Sequence, residues 1–229
     1  VDVAVIGGTG AEGFGLALRL VRAGHRVTIG SRAAERAAEA VRRSADVLGK
    51  DVALEGAENA EAAAGSDVVV VTVPFGGMAE IYGSIAPALT SGQIVLDATS
   101  PLMVAVGGRA WEPIRPWQGS AAEFAATLLP EGVRMVAGFH TVAAHALQAL
   151  DDPVDSDVLL CGDDADAKGV VGSLIQDIPG MRWVDCGPLA NTRITETLTA
   201  LLISINRRYK VKDSGFRIVG REDWGRAES

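Results

Sequence analysis

Apolar residues in this chain come in short runs that alternate with helical periods. Val3 to Ile6 is a run too short for a helix, Gly13 to Ala23 sets Leu16, Ala17 and Leu20 on one helical face, and Arg26 to Ile29 is a second short run. Together they make a strand–helix–strand unit of about thirty residues, closed by a turn at Gly24-His25. Residues 33–48 are alanine-rich and charged on one side, the pattern of an exposed helix. SDVVVVTVP (66–74) is a continuous β-branched run, as expected of a strand covered on both faces of a parallel sheet, and QIVLDAT (93–99) is another.

Between those strands GGMAEIYGSIAPAL supplies a crossover helix. GVRMVAGFHT (132–141) reads as a further strand after a helical segment at 119–129. Right-handed crossovers wind such a series into a Rossmann-type, doubly wound parallel α/β sheet. The acidic, proline-bearing stretch LDDPVDSD (150–157) has no period, so a boundary is expected there. It separates a dinucleotide-binding domain (1–149) from a small C-terminal α/β domain (150–229). The second part reads as a strand (157–161), a helix (164–177), a strand (181–186) and one long apolar helix (190–208). A basic, loosely held tail is expected after about residue 212.

The turn after the first strand reads Gly8-Thr9-Gly10-Ala11-Glu12-Gly13. GxGxxG alone is a weak signal, but here it follows a strand and opens a helix in a unit of the right length. In this reading Gly8 permits a tight turn, Gly10 lets the backbone approach a pyrophosphate, and Gly13 lets helix and strand pack closely. The helix N-terminus offers unpaired N–H groups to the anion. An NAD site would carry Asp or Glu at the end of the second strand, yet this chain has Ser31 and Arg32 there and Arg36 one helical turn on. A guanidinium fork with a hydroxyl suits a 2′-phosphate, which a carboxylate would repel. The cofactor expected is NADP.

Bulk properties narrow the rest. The 229 residues carry a net charge of −8, and aromatics make up 5 %. That argues against nucleic-acid binding. The apolar runs fall well below the roughly 18 residues of a membrane span, and the chain opens on a strand, so a cytoplasmic protein is expected. Cys161 and Cys186 have neither CxxC spacing nor companion ligands; they read as ordinary buried thiols, with no metal site.

Ligands of open α/β sheets sit beyond the C-terminal strand ends. Here those ends are Val73-Pro74-Phe75, Ala98-Thr99-Ser100-Pro101 and Phe139-His140-Thr141. They are mostly small or apolar, and His140 is the only obvious proton donor among them.

The segments GGTGAEGFGLALRLVRAGHRVTIGSR, VVVTVPF, AGFHTVAA, LLCGDD and DCGPLANTRITETLTALLISINRRY resemble, in order, the NADPH-dependent reductases of coenzyme F-420, an 8-hydroxy-5-deazaflavin. The similarity spans about residues 1 to 212. It implies reversible hydride transfer between NADPH and the deazaflavin, with no dedicated catalytic acid or base and no metal. Carried over by motif, Thr9, Gly10, Ala11 and Glu12 line the pyrophosphate turn, and Ser31, Arg32 and Arg36 hold the 2′-phosphate. Arg36 stands where the family often has lysine. Val73, Pro74 and Phe75 flank the nicotinamide ribose, with Phe75 in place of the tryptophan of some members, and Ala137 lies near the ring. Ser100, Pro101, Leu102, His140 and Thr141 face the deazaflavin, and segment 187–202 closes the cleft.

His140 has two readings, a hydrogen bond to the deazaflavin ring system or a histidine satisfied at a strand end. The apolar stripe Ile194, Leu198, Leu201, Leu202 and Ile205 either packs on its own domain or completes a two-fold interface, and the resemblance favours a homodimer. Two other functions share the first domain: an NADP-dependent dehydrogenase or imine reductase of a small substrate, and a non-enzymatic NADP sensor.

Overall fold

The computed structural model describes residues 1–49, 52–220 and 224. Lys50, the one lysine before the expected boundary, lies outside the described residues. Eight strands form one sheet in the order β3-β2-β1-β4-β5-β6-β7-β8. They are β1 (Asp2–Ile6), β2 (Arg26–Ser31), β3 (Leu54–Glu58), β4 (Val68–Val71), β5 (Ile94–Asp97), β6 (Arg134–Ala137), β7 (Ser156–Gly162) and β8 (Met181–Asp185). Every neighbouring pair is parallel except β6 with β7, which meet antiparallel over Val136↔Gly162 and Ala137↔Cys161.

The helices are α1 (Ala11–Arg22), α2 (Ala34–Leu48), α3 (Asn59–Ala64), α4 (Met78–Ile85), α5 (Ala121–Ala126), α6 (Ala144–Gln148), α7 (Ala165–Gln176), α8 (Thr192–Thr195) and α9 (Leu198–Tyr209). Side chains of the central strands alternate between two cores, one on each face. Val3 and Val5 with Val68 and Val70 pack beside α1 residues such as Leu16 and Leu20. Ala4 and Ile6 with Val69 and Val71 pack beside α4 residues such as Met78 and Tyr82. Both faces are covered, which is why the valine run of β4 shows no polar alternation.

Strand order reverses between β1 and β4: the chain runs outward from β1 to β3, then returns to β4 beside β1. The loops after β1 and β4 therefore diverge and leave a crevice at their C-terminal ends.

Three sequence expectations need correction. The segment β3–α3 was not foreseen, because LEGAE is an edge strand with a buried first residue and mostly exposed successors. The single helix expected over 190–208 is broken into a 3-10 turn (Leu189–Asn191), α8 and α9. Around Glu196 and Thr197 the bonds tighten to three-residue spacing, Thr197 N to Ile194 O at 3.1 Å and Thr199 N to Glu196 O at 3.4 Å. Thr192 and Thr197 hydroxyls donate back to the Leu189 and Ile194 carbonyls, competing with regular helix. The tail also docks: Asp157 N–H donates to the Phe216 carbonyl, while the buried Asp157 carboxylate accepts from Arg182, Arg217 and the Ile218 N–H.

Candidate functional site

Gly7, the last residue before the glycine motif, takes φ +81°, and Gly10 N–H donates to its carbonyl at 2.9 Å. The left-handed turn thus belongs to Gly7 rather than to Gly8. Gly8 is needed for space: a Cβ there would meet Val5 O at 2.8 Å. A Cβ on Gly13 would meet Thr72 Oγ1 at 2.4 Å, so α1 rests directly on the end of β4. Gly10 caps α1 without a side-chain hydrogen bond, and the first N–H groups of a helix have no intrahelical acceptor.

A cavity of about 320 Å³ opens at this crevice. Thr9, Gly10, Ser31, Arg32, Arg36, Val73 and Pro74 reach its wall. Ser31 is 6 % exposed at the end of β2, while Arg32 and Arg36 are exposed. Among the described residues neither guanidinium has an ion-pair partner or a side-chain hydrogen bond. Two unpaired cations beside a buried hydroxyl suit a dianionic phosphate.

Gly8 and Gly13 lie beneath the turn, and Ala11, Glu12, Phe75 and Ala137 fall outside the cavity wall. Phe75 begins a 3-10 turn (Phe75–Gly77) and packs against the core on the α4 side. Ala137 is fully buried opposite Asp97. Glu12 would repel a pyrophosphate if charged, but burial, with the Asp97 carboxylate adding to it, pushes its carboxyl up to about 8. Near pH 7 it therefore carries less negative charge than an ordinary glutamate.

Sequence reasoning missed Asn59. It is 6 % exposed at the start of α3 and lines the same cavity, and its Oδ1 has no hydrogen-bond partner. A buried unpaired amide is costly in the free protein and gains a partner when a ligand arrives. Asn59→Ala is expected to hold or raise the melting temperature while raising KM for NADPH about fivefold; a lower melting temperature with unchanged KM would assign the amide to the fold.

The second half of the crevice lies beyond β5 and β6. Asp97, wholly buried, accepts from the Tyr82 hydroxyl at 2.5 Å, from Thr99 N–H at 2.9 Å and from the Thr99 hydroxyl at 3.2 Å. Burial pushes it up to about 6 despite these donors. The pair fixes the β5 exit that leads to Ser100 and to buried Pro101. Leu102 bridges to Pro113, holding the following loop.

Beyond β6, Phe139 adopts φ +67°, a left-handed conformation costly for an aromatic residue. His140 follows at 6 % exposure, with neither ring nitrogen hydrogen-bonded. The Ala98 carbonyl faces the ring outside hydrogen-bond geometry, and burial pulls the imidazole down to about 4. Thr141 is buried beside it.

The α8–α9 segment ties these strand ends together. Thr199 Oγ1 donates to the His140 carbonyl at 2.7 Å and shares a 2.7 Å hydrogen bond with Ser100 Oγ. Glu196, 1 % exposed, accepts from the N–H groups of Ala121 and Ala122 at 2.8 and 2.9 Å. Burial nonetheless pushes its carboxyl up to about 8. Among the described residues no cluster of His, Cys, Asp or Glu is arranged to hold a metal ion, and no helix is long and apolar enough to cross a membrane.

A family model described as NADP oxidoreductase, coenzyme F420-dependent, matches residues 2–101. The F420-dependent NADP reductase of Methanothermobacter thermautotrophicus is 44 % identical over 95 % of this chain and 94 % of its own. The Methanocaldococcus jannaschii protein of the same name is 40 % identical over 97 % of this chain and 100 % of its own. Among solved structures, one from Arthrobacter sp. FB24 superimposes with a TM-score of 0.78 at 24 % identity, covering 95 % of this chain and 99 % of that one. A reductive aminase from Aspergillus terreus shares the fold at TM-score 0.63 and 18 % identity, over 91 % of this chain and 62 % of that one. The relatives match across both the dinucleotide turn and the α8–α9 segment, so the chain belongs to the family of F420-dependent NADP reductases.

Proposed function

We propose that this protein transfers a hydride reversibly between NADPH and the deazaflavin coenzyme F-420. The observation that carries the cofactor half is the pair of unpartnered guanidiniums, Arg32 and Arg36, beside buried Ser31 on the wall of the dinucleotide cavity. The unpaired Asn59 Oδ1, an acceptor for a ligand hydroxyl or amino group, and the uncapped start of α1 fit the same ligand. NADPH at tenfold or more above its Kd would raise the melting temperature and NADH would not, by the mass-action gain of a ligand that binds only the folded state; equal shifts would remove the phosphate reading.

The two coenzymes supply the hydride chemistry when bound, one carbon giving and the other receiving. What remains for the chain is alignment and exclusion of water. The glycine turn and α1 anchor the pyrophosphate, and Val73, Pro74 and Phe75 flank the nicotinamide side. Ser100, Pro101, Leu102, His140 and Thr141 form the deazaflavin side, and residues 150–229 act as the smaller unit that closes over it.

A neutral His140 can donate one hydrogen bond and accept one, and among the described residues neither ring nitrogen has a partner in good geometry, although the Ala98 carbonyl stands near. His140→Ala is expected to raise KM for the deazaflavin about five- to tenfold and leave KM for NADPH unchanged. If both constants stay at the wild-type value, the histidine serves only the strand end.

Ile194 and Leu201 are 65 % and 50 % exposed on α8 and α9, whereas Leu202 is buried. Two apolar residues left in water on the segment that shapes the cleft favour a homodimer in which that face meets its two-fold copy. A cytoplasmic location accords with free thiols and nicotinamide chemistry.

A further inference from the structure

Cys161 on β7 and Cys186, just past the end of β8, stand side by side. The register pairs Leu160 with Asp185 one position earlier, and Cys186 N–H donates to the Leu160 carbonyl at 2.8 Å. Both are free thiols, and each is the strongest influence on the other's acidity. Neighbouring strands lie about 4.7–4.9 Å apart, within the roughly 4.4–6.8 Å between Cα atoms that a disulfide spans.

The pair is asymmetric: Cys161 is buried, whereas Cys186 is half-buried and open to small reagents. The charged groups facing it are Lys168 and Asp185, themselves paired at 2.5 Å. Cys161 is held below the usual thiol range, first by the Cys186 thiol and then, against burial, by Thr195 and the Lys168 ammonium. Cys186 is pushed up in turn. Deprotonation of the pair is therefore favoured at Cys161, with the Cys186 thiol facing the thiolate.

We propose that Cys161 and Cys186 are a redox-responsive dithiol that a hydroperoxide oxidises to an intramolecular disulfide, weakening the grip on the deazaflavin. The Cys161 thiolate takes the Cys186 proton as the more exposed Cys186 sulfur attacks a peroxide oxygen; the O–O bond breaks, and the departing alkoxide takes up that proton and leaves as an alcohol (water, from hydrogen peroxide), with Cys186 now a sulfenic acid. The Cys161 thiolate then displaces the sulfenic oxygen, which leaves as hydroxide. Two electrons leave the dithiol and reduce the peroxide.

The consequence for binding follows from what the two residues hold. Cys161 Sγ lies 3.8 Å from Thr195 Oγ1, and the Cys186 carbonyl accepts from Asn191 Nδ2 at 2.6 Å. These contacts anchor the 3-10 turn and α8, the lead-in to Thr199 and its bonds to Ser100 and His140. Swinging Cys161 Sγ toward Cys186 withdraws it from Thr195. This second half rests on the assignment of that side to the deazaflavin.

The test treats the fully reduced chain with one equivalent of hydrogen peroxide and reads intact mass, iodoacetamide-reactive thiols and KM. A loss of about 2 Da, with two thiols blocked and both restored by dithiothreitol, is expected. The oxidised form should show KM for the deazaflavin about fivefold higher and KM for NADPH unchanged. Cys186→Ser should keep its mass, Cys161→Ser should gain at most one oxygen that dithiothreitol removes, and neither should lose about 2 Da. Addition of oxygen atoms without loss of two thiols, or no reaction, overturns the dithiol. A disulfide that leaves the deazaflavin KM unchanged overturns the coupling. Absence of deazaflavin turnover in the reduced enzyme overturns the functional reading and the kinetic half, while the mass shift decides the dithiol by itself.

Discussion

Replacing Arg32 with alanine raises KM for NADPH about 10- to 150-fold, the equivalent of losing a charge-assisted hydrogen bond of about 1.5–3 kcal/mol. NADH, with no phosphate to lose, reacts as before. The effect is large because among the described residues Arg32 holds no competing ion pair and it stands at the end of β2, directly after the buried hydroxyl of Ser31. Its side chain is exposed, so most of its charge is screened until a phosphate arrives. Arg36, one turn along α2, retains part of the binding, and Arg32→Ala with Arg36→Ala is expected to abolish the preference for NADPH. Arg32→Lys keeps the charge but loses the planar fork, giving an intermediate KM. Initial rates with both nucleotides check this, and an unchanged NADPH/NADH ratio in the double variant would place the 2′-phosphate elsewhere.

Glu196→Ala costs about 2–6 kcal/mol of stability, since two buried N–H groups on α5 lose their acceptor at about 1–3 kcal/mol each. Against a typical total of about 5–15 kcal/mol that is a large share, and the melting temperature should drop by about 5–15 °C. Glu196→Gln keeps one acceptor oxygen and falls between. The same residue takes part in a pH effect whose sign is fixed. Glu12 and Glu196, raised to about 8, and Asp97, raised to about 6, all lie above their ordinary values of 4.5 and 3.8.

The folded state therefore binds more protons than the unfolded one, and the contribution of these groups is lost as pH rises through 6 and 8. His140, lowered from 6.5 to about 4, acts oppositely, but only between those two values. The window free of His140 is pH 6.5 to about 8, across which calorimetry should record a falling melting temperature, opposed toward its upper end by the lowered Cys161 thiol. Glu12→Gln should flatten that fall, and a rise over the window would contradict the carboxyl assignments.

What the sequence disclosed and what it hid follow from the range of the interactions. The β1 turn and Ser31-Arg32-Arg36 were legible because each signal sits within about thirty residues of one strand–helix–strand unit. Even there the backbone corrected the detail, since the left-handed turn is made by Gly7. Asp97 was hidden inside an ordinary strand run, although an acid at the end of a valine-rich segment is itself a signal. Glu196 looked like one more helical position, and its partners, Ala121 and Ala122, lie 75 and 74 residues away. The break between α8 and α9 follows from that long-range capping and from the Thr192 and Thr197 hydroxyls, which no helical period encodes. The docked tail depends on the buried Asp157 carboxylate, whose four donors come from β8 and from residues beyond 216. The side proposed for the deazaflavin was the least legible from residues alone: its strand ends are small and apolar, and the proposal for them rests on the resemblance.

The central claim is hydride exchange between a phosphorylated nicotinamide and a deazaflavin. Its most direct measurement mixes the purified chain with NADPH and oxidised coenzyme F-420 and follows loss of the deazaflavin absorbance, with NADH as the control. Rapid bleaching with NADPH and little with NADH is the predicted result. Tight NADPH binding without bleaching would contradict the account and leave a dehydrogenase of another substrate or an NADP sensor.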